Sequence, residues 1–217
     1  MKIDVNGITL NYEKVGTGSP LIMVHGNGET HEIFNVAREK LKDRFTCYLI
    51  DSRGHGESSP VETYSYQPMR QDIIEFIKVL ELKNVTFYGF SDGGIIGLLV
   101  ASQTDLIDTL IISGANTRPD AVSKKLLWMF RIMWFFGRDE KIHMMLKEPN
   151  IDDSELFKIK AKTLVLAGSN DIIQESHTRH IADCIKGSTL CILPGEDHGS
   201  YIKNSEKIAD IILDFCK

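Results

Sequence analysis

Cysteine and proline are scarce in this sequence, and no apolar run is long. The 217 residues include four cysteines and six prolines. The cysteines are Cys47, Cys184, Cys191 and Cys216, and their spacing forms neither a CxxC pair nor a set of metal ligands. This pattern argues against a disulfide framework and favours reduced thiols that pack as small apolar side chains. We therefore expect a cytoplasmic protein that uses no metal and no cofactor.

The sequence also lacks the marks of a targeting or membrane-spanning segment. Residues 1–7 contain no apolar core and no small-residue cleavage site, so a secretory signal peptide is not indicated. The longest apolar stretch, residues 126–136, is too short to cross a bilayer and contains Arg131. We expect no stable membrane insertion.

An excess of positive charge is absent as well. Lys and Arg number 25 against 30 Asp and Glu, which gives a formal net charge of −5. A phosphate-binding surface has no support from this balance, so nucleic acid is not an expected partner. The length suits one domain with a substantial core. The composition leaves the oligomeric state open.

Apolar runs that are typical of strands alternate with stretches of helical periodicity. Asn6-Gly7 lies between two short strand-like runs and predicts an antiparallel hairpin. The later runs are continuous, as expected for strands buried on both faces, and cover residues 21–24, 47–50, 85–88, 109–112, 161–167 and 189–193. Helices are expected near residues 33–41, 66–82, 95–102, 175–185 and 205–216. This alternation predicts an α/β fold, with a mostly parallel central sheet and helices on both faces.

A segment of 44 residues, 117–160, interrupts this alternation after the sixth strand. It holds both tryptophans, Trp128 and Trp134, among phenylalanines and methionines. Insertions of this length are usually functional, and we predict a small helical lid. Most of its apolar side chains are expected to pack on the core, but Trp128, Met133 and Trp134 are candidates for a substrate wall, and Gly28 is a further candidate contact. The predicted organisation is one domain, with the core at residues 1–116 and 161–217 and the lid at 117–160.

Residues 89–93 read Gly-Phe-Ser-Asp-Gly and follow a β-branched and aromatic run. A Gly-x-Ser-x-Gly turn between a strand and a helix is typical of the nucleophile elbow, which raises a serine above the edge of a sheet. The glycines remove β-carbons that would collide with the entering strand and the leaving helix. Taken alone, the motif is equally compatible with an ordinary glycine-rich turn that carries an incidental serine.

Two further side chains supply partners for Ser91. Asp171 and His198 each follow an apolar strand, as Ser91 does, and the carboxyl ends of parallel strands meet at one edge of a sheet. A serine needs an adjacent base and a third group that orients the base. Serine, acid and histidine come here in the chain order that this architecture uses. The sequence therefore predicts a catalytic triad of Ser91, His198 and Asp171.

Five ordered motifs make the chain resemble the α/β-hydrolase superfamily over essentially its whole length. They are His25-Gly26-Asn27-Gly28, Asp51-x-Arg53-Gly54-His55-Gly56-x-Ser58, Gly89-Phe90-Ser91-Asp92-Gly93-Gly94, Asp171 and His198. The elbow looks like those of small esterases in the biphenyl-hydrolase-like and carboxylesterase branch. The resemblance implies that Ser91 attacks an acyl carbonyl, that His198 is the base and that Asp171 orients it. It also implies that backbone N–H groups of Asn27 and Asp92 stabilise the oxyanion.

The resemblance is specific for the superfamily and less so for the reaction. Its first implication is a serine hydrolase that cleaves a small or medium carboxylic ester or thioester through an acyl-enzyme. The same triad serves C–C bond hydrolysis, lactone opening, acyl transfer and perhydrolysis, which depend on pocket shape. A non-enzymatic ligand receptor on this fold is a third possibility, disfavoured by the intact triad. A lipase that acts on membranes has no support from the acidic net charge.

Other polar residues near the predicted site have competing interpretations. His25 and His55 are expected to hold loops through their ring nitrogens, and Asp197 is expected to point away from His198. The carboxylate of Asp92 either attracts an ammonium group of an amino-ester substrate or, in the favoured interpretation, is a solvated or helix-capping acid. His177 and His180, which are three residues apart, could share a metal ion, but this interpretation is disfavoured because no third ligand is evident. The histidines interpreted as surface residues are His143, His177 and His180.

Overall fold

The computed structural model describes residues 1–217 and contains one sheet of eight strands. The strands are β1 (Lys2–Val5), β2 (Ile8–Val15), β3 (Ser19–Val24), β4 (Phe45–Ile50), β5 (Val85–Phe90), β6 (Ile107–Ser113), β7 (Lys162–Asn170) and β8 (Thr189–Asp197). Their order across the sheet is β1-β2-β4-β3-β5-β6-β7-β8. Only the hairpin pair β1–β2 and the pair β2–β4 are antiparallel. The predicted mostly parallel sheet is therefore confirmed.

Helices cover both faces of this sheet. They are α1 (Asn35–Leu41), α2 (Tyr66–Val79), α3 (Asp92–Gln103), α4 (Lys124–Gly137), α5 (Glu140–Lys147), α6 (Asp153–Leu156), α7 (Glu175–Cys184) and α8 (Lys207–Phe215). One apolar cluster joins the sheet to α1 and α8, through residues such as Leu41 and Ile212. A second, larger cluster joins the other face to α2, α3 and α7. None of the helices has both the length and the apolarity that crossing a bilayer requires.

Strand β3 shows why the predicted parallel strands read as continuous apolar runs. Leu21 and Met23 belong to one cluster, whereas Ile22 and Val24 belong to the other, and all four are 0% exposed. Successive side chains of a strand point to opposite faces, so a strand covered on both sides buries every residue. Each such side chain stabilises the fold by roughly 1.5–3 kcal/mol.

Helix α2 ends at Val79, before the residue 82 that its apolar pattern predicts. Glu81 has a φ of 51°, and the backbone N–H of Leu82 donates to the carbonyl of Ile77 at 3.0 Å. A left-handed residue with this backward hydrogen bond closes a helix. Leu80 and Leu82 still pack against the core, so the apolar pattern continues for three residues beyond the end of the helix.

Strands β7 and β8 extend further than their apolar runs predict. They pair in parallel as far as Asn170 and Asp197, with a register shift between Gly168 and Asn170. Pro194 is tolerated within β8 because β8 lies at the edge of the sheet, where a missing N–H leaves no ladder bond unmade. As a result, Asp171 and His198 directly follow the ends of two adjacent strands.

Candidate active site

Ser91 lies in the sharp turn between β5 and α3. Its backbone has φ 53° and ψ −113°, which is unusual and strained for a residue with a side chain. The turn is held by the Ser91 N–H, which donates to the carbonyl of Ser113 at 2.8 Å, and by the Ser91 carbonyl, which accepts from Ile95 at 3.1 Å. The serine side chain therefore projects from a fixed kink.

Two glycines make this kink possible. A Cβ at Gly89 would lie 2.2 Å from the carbonyl oxygen of Gly93, at the start of α3. A Cβ at Gly93 would lie 2.0 Å from the carbonyl oxygen of Val24. The first collision is with the leaving helix, as the sequence predicts, but the second is with the neighbouring strand β3, because α3 starts directly against that strand.

The structure brings Ser91, His198 and Asp171 together at the carboxyl edge of the sheet. His198 Nε2 lies 3.2 Å from Ser91 Oγ, and His198 Nδ1 lies 2.7 Å from Asp171 Oδ1. The Asp171 side chain is only 2% exposed. Gly114, with φ +59°, passes so close that a Cβ there would lie 2.7 Å from the imidazole. These distances suit a base positioned to take the serine proton, with a buried acid that orients the imidazole.

Asp197 has a different role from Asp171, although it precedes His198 in the chain. Its Oδ1 accepts hydrogen bonds from the backbone N–H groups of Gly199 and Ser200, both at 2.8 Å. These backbone donors lower the pKa of the Asp197 carboxyl. Asp197 thus shapes the turn that carries His198, and only Asp171 contacts the imidazole.

Two backbone N–H groups beside Ser91 remain available to a ligand. The N–H of Asn27 has no acceptor in the protein, and Asn27 lines the same cleft as Ser91 and His198. The N–H of Asp92 is at the first position of α3, where no intrahelical acceptor exists. The N–H of Gly93, by contrast, donates to the carbonyl of His25 at 3.1 Å. Asn27 and Asp92 are therefore the donors that an oxyanion could use.

His25 and His55 hold the loops around the site. His25 Nε2 accepts from the N–H of Ser52 at 3.1 Å, and His55 Nε2 accepts from the N–H of Gly28 at 3.1 Å. Burial lowers the pKa of His25 to about 4, so its ring is neutral at physiological pH. Both rings act as acceptors for backbone groups, which is the structural role expected from the sequence.

Asp92 is buried, contrary to the expectation of a solvated acid. It is 6% exposed, and Tyr66 Oη donates to its Oδ1 at 2.8 Å while Asn27 Nδ2 donates to its Oδ2 at 2.9 Å. Burial raises the pKa of Asp92 to about 6, although the hydrogen bonds from Tyr66 and Asn27 oppose the rise. Both carboxyl oxygens already have a donor. A residue from α2 and one from the loop after β3 make this environment, and no local sequence signal reveals it.

Asp92→Asn is expected to become increasingly favourable to stability as the pH rises. A carboxyl whose pKa is raised from 3.8 to about 6 binds its proton more tightly in the native than in the unfolded state. The native state therefore loses about 3 kcal/mol of stability as the pH rises from about 4 through about 6. Asparagine has no such loss. Urea unfolding across this range should show the variant gaining about 2 to 3 kcal/mol relative to the wild type.

The matched control for this prediction is Asp108→Asn, because Asp108 is an exposed acid on β6. Its substitution should leave the pH dependence of stability unchanged. Asp92→Asn also changes a hydrogen-bond acceptor, but that effect is the same at every pH. The pH dependence of the difference in stability therefore reports only the charge of the Asp92 carboxyl. Parallel wild-type and variant curves would show that Asp92 does not titrate abnormally.

Two adjoining cavities open beside Ser91. The larger is an open cleft of about 570 Å³, and seven of its twelve lining residues are polar or charged, including Asn27, His198 and Lys203. The smaller measures about 50 Å³ and is more apolar. It is lined by Tyr66, Ser91, Asp92, Asn116, Pro119, Val122, Phe130, Met145, Glu148, Ile172 and Ile173.

The four proposed substrate contacts line neither of these cavities. Trp128 and Met133 are 65% and 46% exposed on the outside of α4. Trp134 stacks on His143 with ring centroids 4.6 Å apart, and the backbone of Gly28 is bound by His55. Which side chains of α4 face the core depends on how the helix packs. Periodicity cannot predict this, because apolar residues occur all around the helix. Of the insert residues, Met145 lines both cavities, and Pro119, Val122, Phe130 and Glu148 line the smaller one.

The three histidines predicted to lie at the surface differ from one another in their surroundings. His177 is buried, not at the surface as predicted, and its Nε2 accepts from the N–H of Thr117 at 3.0 Å. Burial lowers the pKa of His177 to about 4. His180 lies beside Asp153 and Cys184, and one possible ligand atom from each of the three lies within 4.8 Å of the others. His143 pairs with Glu140 one turn earlier on α5.

Known proteins resemble this chain both in sequence and in fold. Residues 19–142 match the family model described as alpha/beta hydrolase fold. The chain is 28% identical to the serine hydrolase BPHL of Mus musculus, in an alignment of 251 positions that covers 99% of this chain and 85% of that protein. It is 27% identical to the AB hydrolase superfamily protein YisY of Bacillus subtilis, over 96% and 95% of the two chains. A solved thermophilic esterase from Thermogutta terrifontis has a TM-score of 0.84 at 22% identity, covering 100% of this chain and 98% of that one.

Proposed function

This chain belongs to the α/β-hydrolase fold family, and from that premise we propose that it is a serine esterase acting through Ser91, His198 and Asp171. The observation that carries the proposal is the 3.2 Å approach of His198 Nε2 to Ser91 Oγ, with Asp171 against the opposite ring nitrogen. A receptor that only binds a ligand has no use for an activated hydroxyl. The proposed substrates are small carboxylic esters or thioesters.

In the proposed mechanism, Ser91 Oγ attacks the acyl carbonyl while His198 takes its proton. Asp171 keeps the other ring nitrogen protonated, so that Nε2 can act as the base. The developing oxyanion accepts hydrogen bonds from the N–H groups of Asn27 and Asp92, each worth roughly 3 kcal/mol in hydrolases of this type. His198 then protonates the leaving alcohol or thiol, and water hydrolyses the acyl-enzyme by the same proton path.

The size of the apolar cavity supports a short acyl group. At about 50 Å³, the cavity between Phe130, Met145 and Ile173 has room for only a few carbon atoms. The open cleft of about 570 Å³ on the other side of Ser91 can take a larger, more polar alcohol portion. Each oxygen of Asp92 already accepts a hydrogen bond, from Tyr66 or from Asn27, and the side chain is buried, so this carboxyl is poorly placed to bind an ammonium group and amino esters are not favoured.

Location and partners are part of the same proposal. All four cysteines are free thiols, which suits the reducing conditions of the cytoplasm. A small acyl ester or thioester is the proposed partner. Lactone opening, C–C bond hydrolysis, acyl transfer and perhydrolysis use the same three side chains, and no feature of the cavities favours them over ester cleavage.

A panel of p-nitrophenyl esters tests this proposal. We expect kcat/KM to be highest for acetyl to butyryl esters and to fall about tenfold or more for decanoyl esters, because long chains exceed the cavity. Phe130→Ala, which enlarges the cavity, should shift the optimum towards longer chains. Absence of turnover on every ester, thioester and lactone tested would contradict the proposed function, whereas a preference for long chains would contradict only the pocket assignment.

A further inference from the structure

Helix α4 presents an apolar surface to solvent. None of its 14 residues is buried. Five large side chains on one side of the helix form what we call the outer face of α4: Trp128 (65% exposed), Met129 (44%), Met133 (46%), Phe135 (61%) and Phe136 (80%). Contiguous exposed apolar side chains of this kind usually mark an interaction site.

The opposite side of α4 is already used for packing on the rest of the protein. Leu126 packs against the small cluster that contains Val122, and Phe130 lines the cavity beside Ser91. Trp134 stacks on His143 of α5. Because these inner contacts attach the helix, its outer face is not needed to hold α4 in place. A helix that is apolar on every side normally has a partner on each side.

Positive charge accompanies the outer face. Between Asp120 and Asp139 the only charged residues are Lys124, Lys125, Arg131 and Arg138. The whole chain has a net charge of −5, so this stretch has the opposite sign of charge to the chain as a whole. Aromatic side chains together with lysine and arginine on one helix are the composition of helices that lie in the interface of anionic bilayers.

Charge and length decide between the possible occupants. A symmetric contact with a second copy of this chain would bring the positive charges of both α4 helices together, which costs free energy. A bilayer surface with anionic headgroups complements those charges. The 14 residues of α4 give a length of about 21 Å, shorter than the roughly 30 Å hydrocarbon core, so the helix would lie on the membrane and not span it.

We propose that the outer face of α4 docks on the surface of bilayers that contain anionic phospholipids. The aromatic and methionine side chains enter the interface, and the lysine and arginine side chains contact lipid phosphates. Docking itself does not depend on the ester chemistry proposed above. If that chemistry also holds, docking brings the cavity shared by Phe130 and Ser91 close to esters dissolved in the bilayer.

Vesicle binding tests this proposal directly. Trp128 and Trp134 are the only tryptophans in the chain, so Trp134→Phe leaves Trp128 on the outer face as the single fluorophore. Its emission should shift to the blue with vesicles of phosphatidylcholine and phosphatidylserine, and much less with phosphatidylcholine alone. In flotation assays the wild type should bind the anionic vesicles, and added salt should weaken the binding.

Two double variants and one control make the test specific. Phe135→Ser/Phe136→Ser and Lys124→Gln/Lys125→Gln should each weaken vesicle binding on the order of tenfold. Phe157→Ser should not, since Phe157 is 63% exposed but lies after α6. All three should hydrolyse a water-soluble ester like the wild type, which separates this proposal from the proposed function.

Three results would overturn the proposal. The first is absence of wild-type binding to anionic vesicles, and the second is equal binding by the Phe135/Phe136 variant. The third is a dimer in lipid-free sedimentation experiments that the Phe135/Phe136 substitutions abolish, because this would assign the outer face to a second copy of the chain.

Discussion

Ser91→Ala is expected to lower kcat/KM for a short p-nitrophenyl ester about 10⁴-fold to 10⁶-fold. The substitution removes the only oxygen within hydrogen-bond distance of His198 Nε2 and leaves no nucleophile for the acyl carbon. Alanine at this position keeps the same φ of 53°, so the backbone strain of the turn is unchanged. The free energy of unfolding should therefore stay within about 1 kcal/mol of the wild-type value.

Ser102→Ala is the matched control for that variant. Ser102 lies further along the same helix, α3, and its hydroxyl donates only to the carbonyl of Leu99 at 3.2 Å. Its kinetics should equal those of the wild type. If Ser91→Ala retained wild-type turnover while remaining folded, another residue would have to be the nucleophile.

Asp171→Asn is expected to lower kcat about 10⁴-fold with a much smaller change in KM. The buried carboxylate accepts from His198 Nδ1 at 2.7 Å and thereby fixes the tautomer whose Nε2 faces Ser91. An amide that turns its NH₂ group to the ring stabilises the other tautomer, in which Nε2 carries the proton and cannot act as a base. The defect is in the chemical step, because Asp171 lines neither cavity beside Ser91.

Asp197→Asn separates the role of the Asp171 carboxylate from a general effect of negative charge near His198. Asp197 adjoins His198 in the chain but accepts from the backbone of Gly199 and Ser200. Its loss should reduce kcat by about tenfold or less, through looser positioning of the loop. A larger defect from Asp197→Asn than from Asp171→Asn would reverse the assignment of the two acids.

The position of the site could be predicted from the sequence because it depends on the ends of strands. Ser91, Asp171 and His198 each follow an apolar run, and parallel strands place such residues at one edge. Strand β8 is longer than predicted, because an edge strand can accommodate Pro194. The predicted position of the site still holds, since His198 follows the end of β8 and lies next to Asp171.

The lining of the pocket could not be predicted in the same way. The direction in which α4 turns its side chains is decided by contacts between the insert and the core, and those contacts turn Phe130 inward and Trp128 outward. The surroundings of Asp92 likewise depend on Tyr66 and Asn27, which are far away in the sequence. Local periodicity carries no information about such contacts.

The central claim is that His198 activates Ser91, and covalent labelling by a fluorophosphonate tests it most directly. Intact-mass analysis with peptide mapping should find one adduct per chain, on Ser91, with no adduct on Ser91→Ala and a labelling rate about 10³-fold or more slower for His198→Ala. An adduct on another residue, or equally fast labelling of the wild type and His198→Ala, would contradict the account.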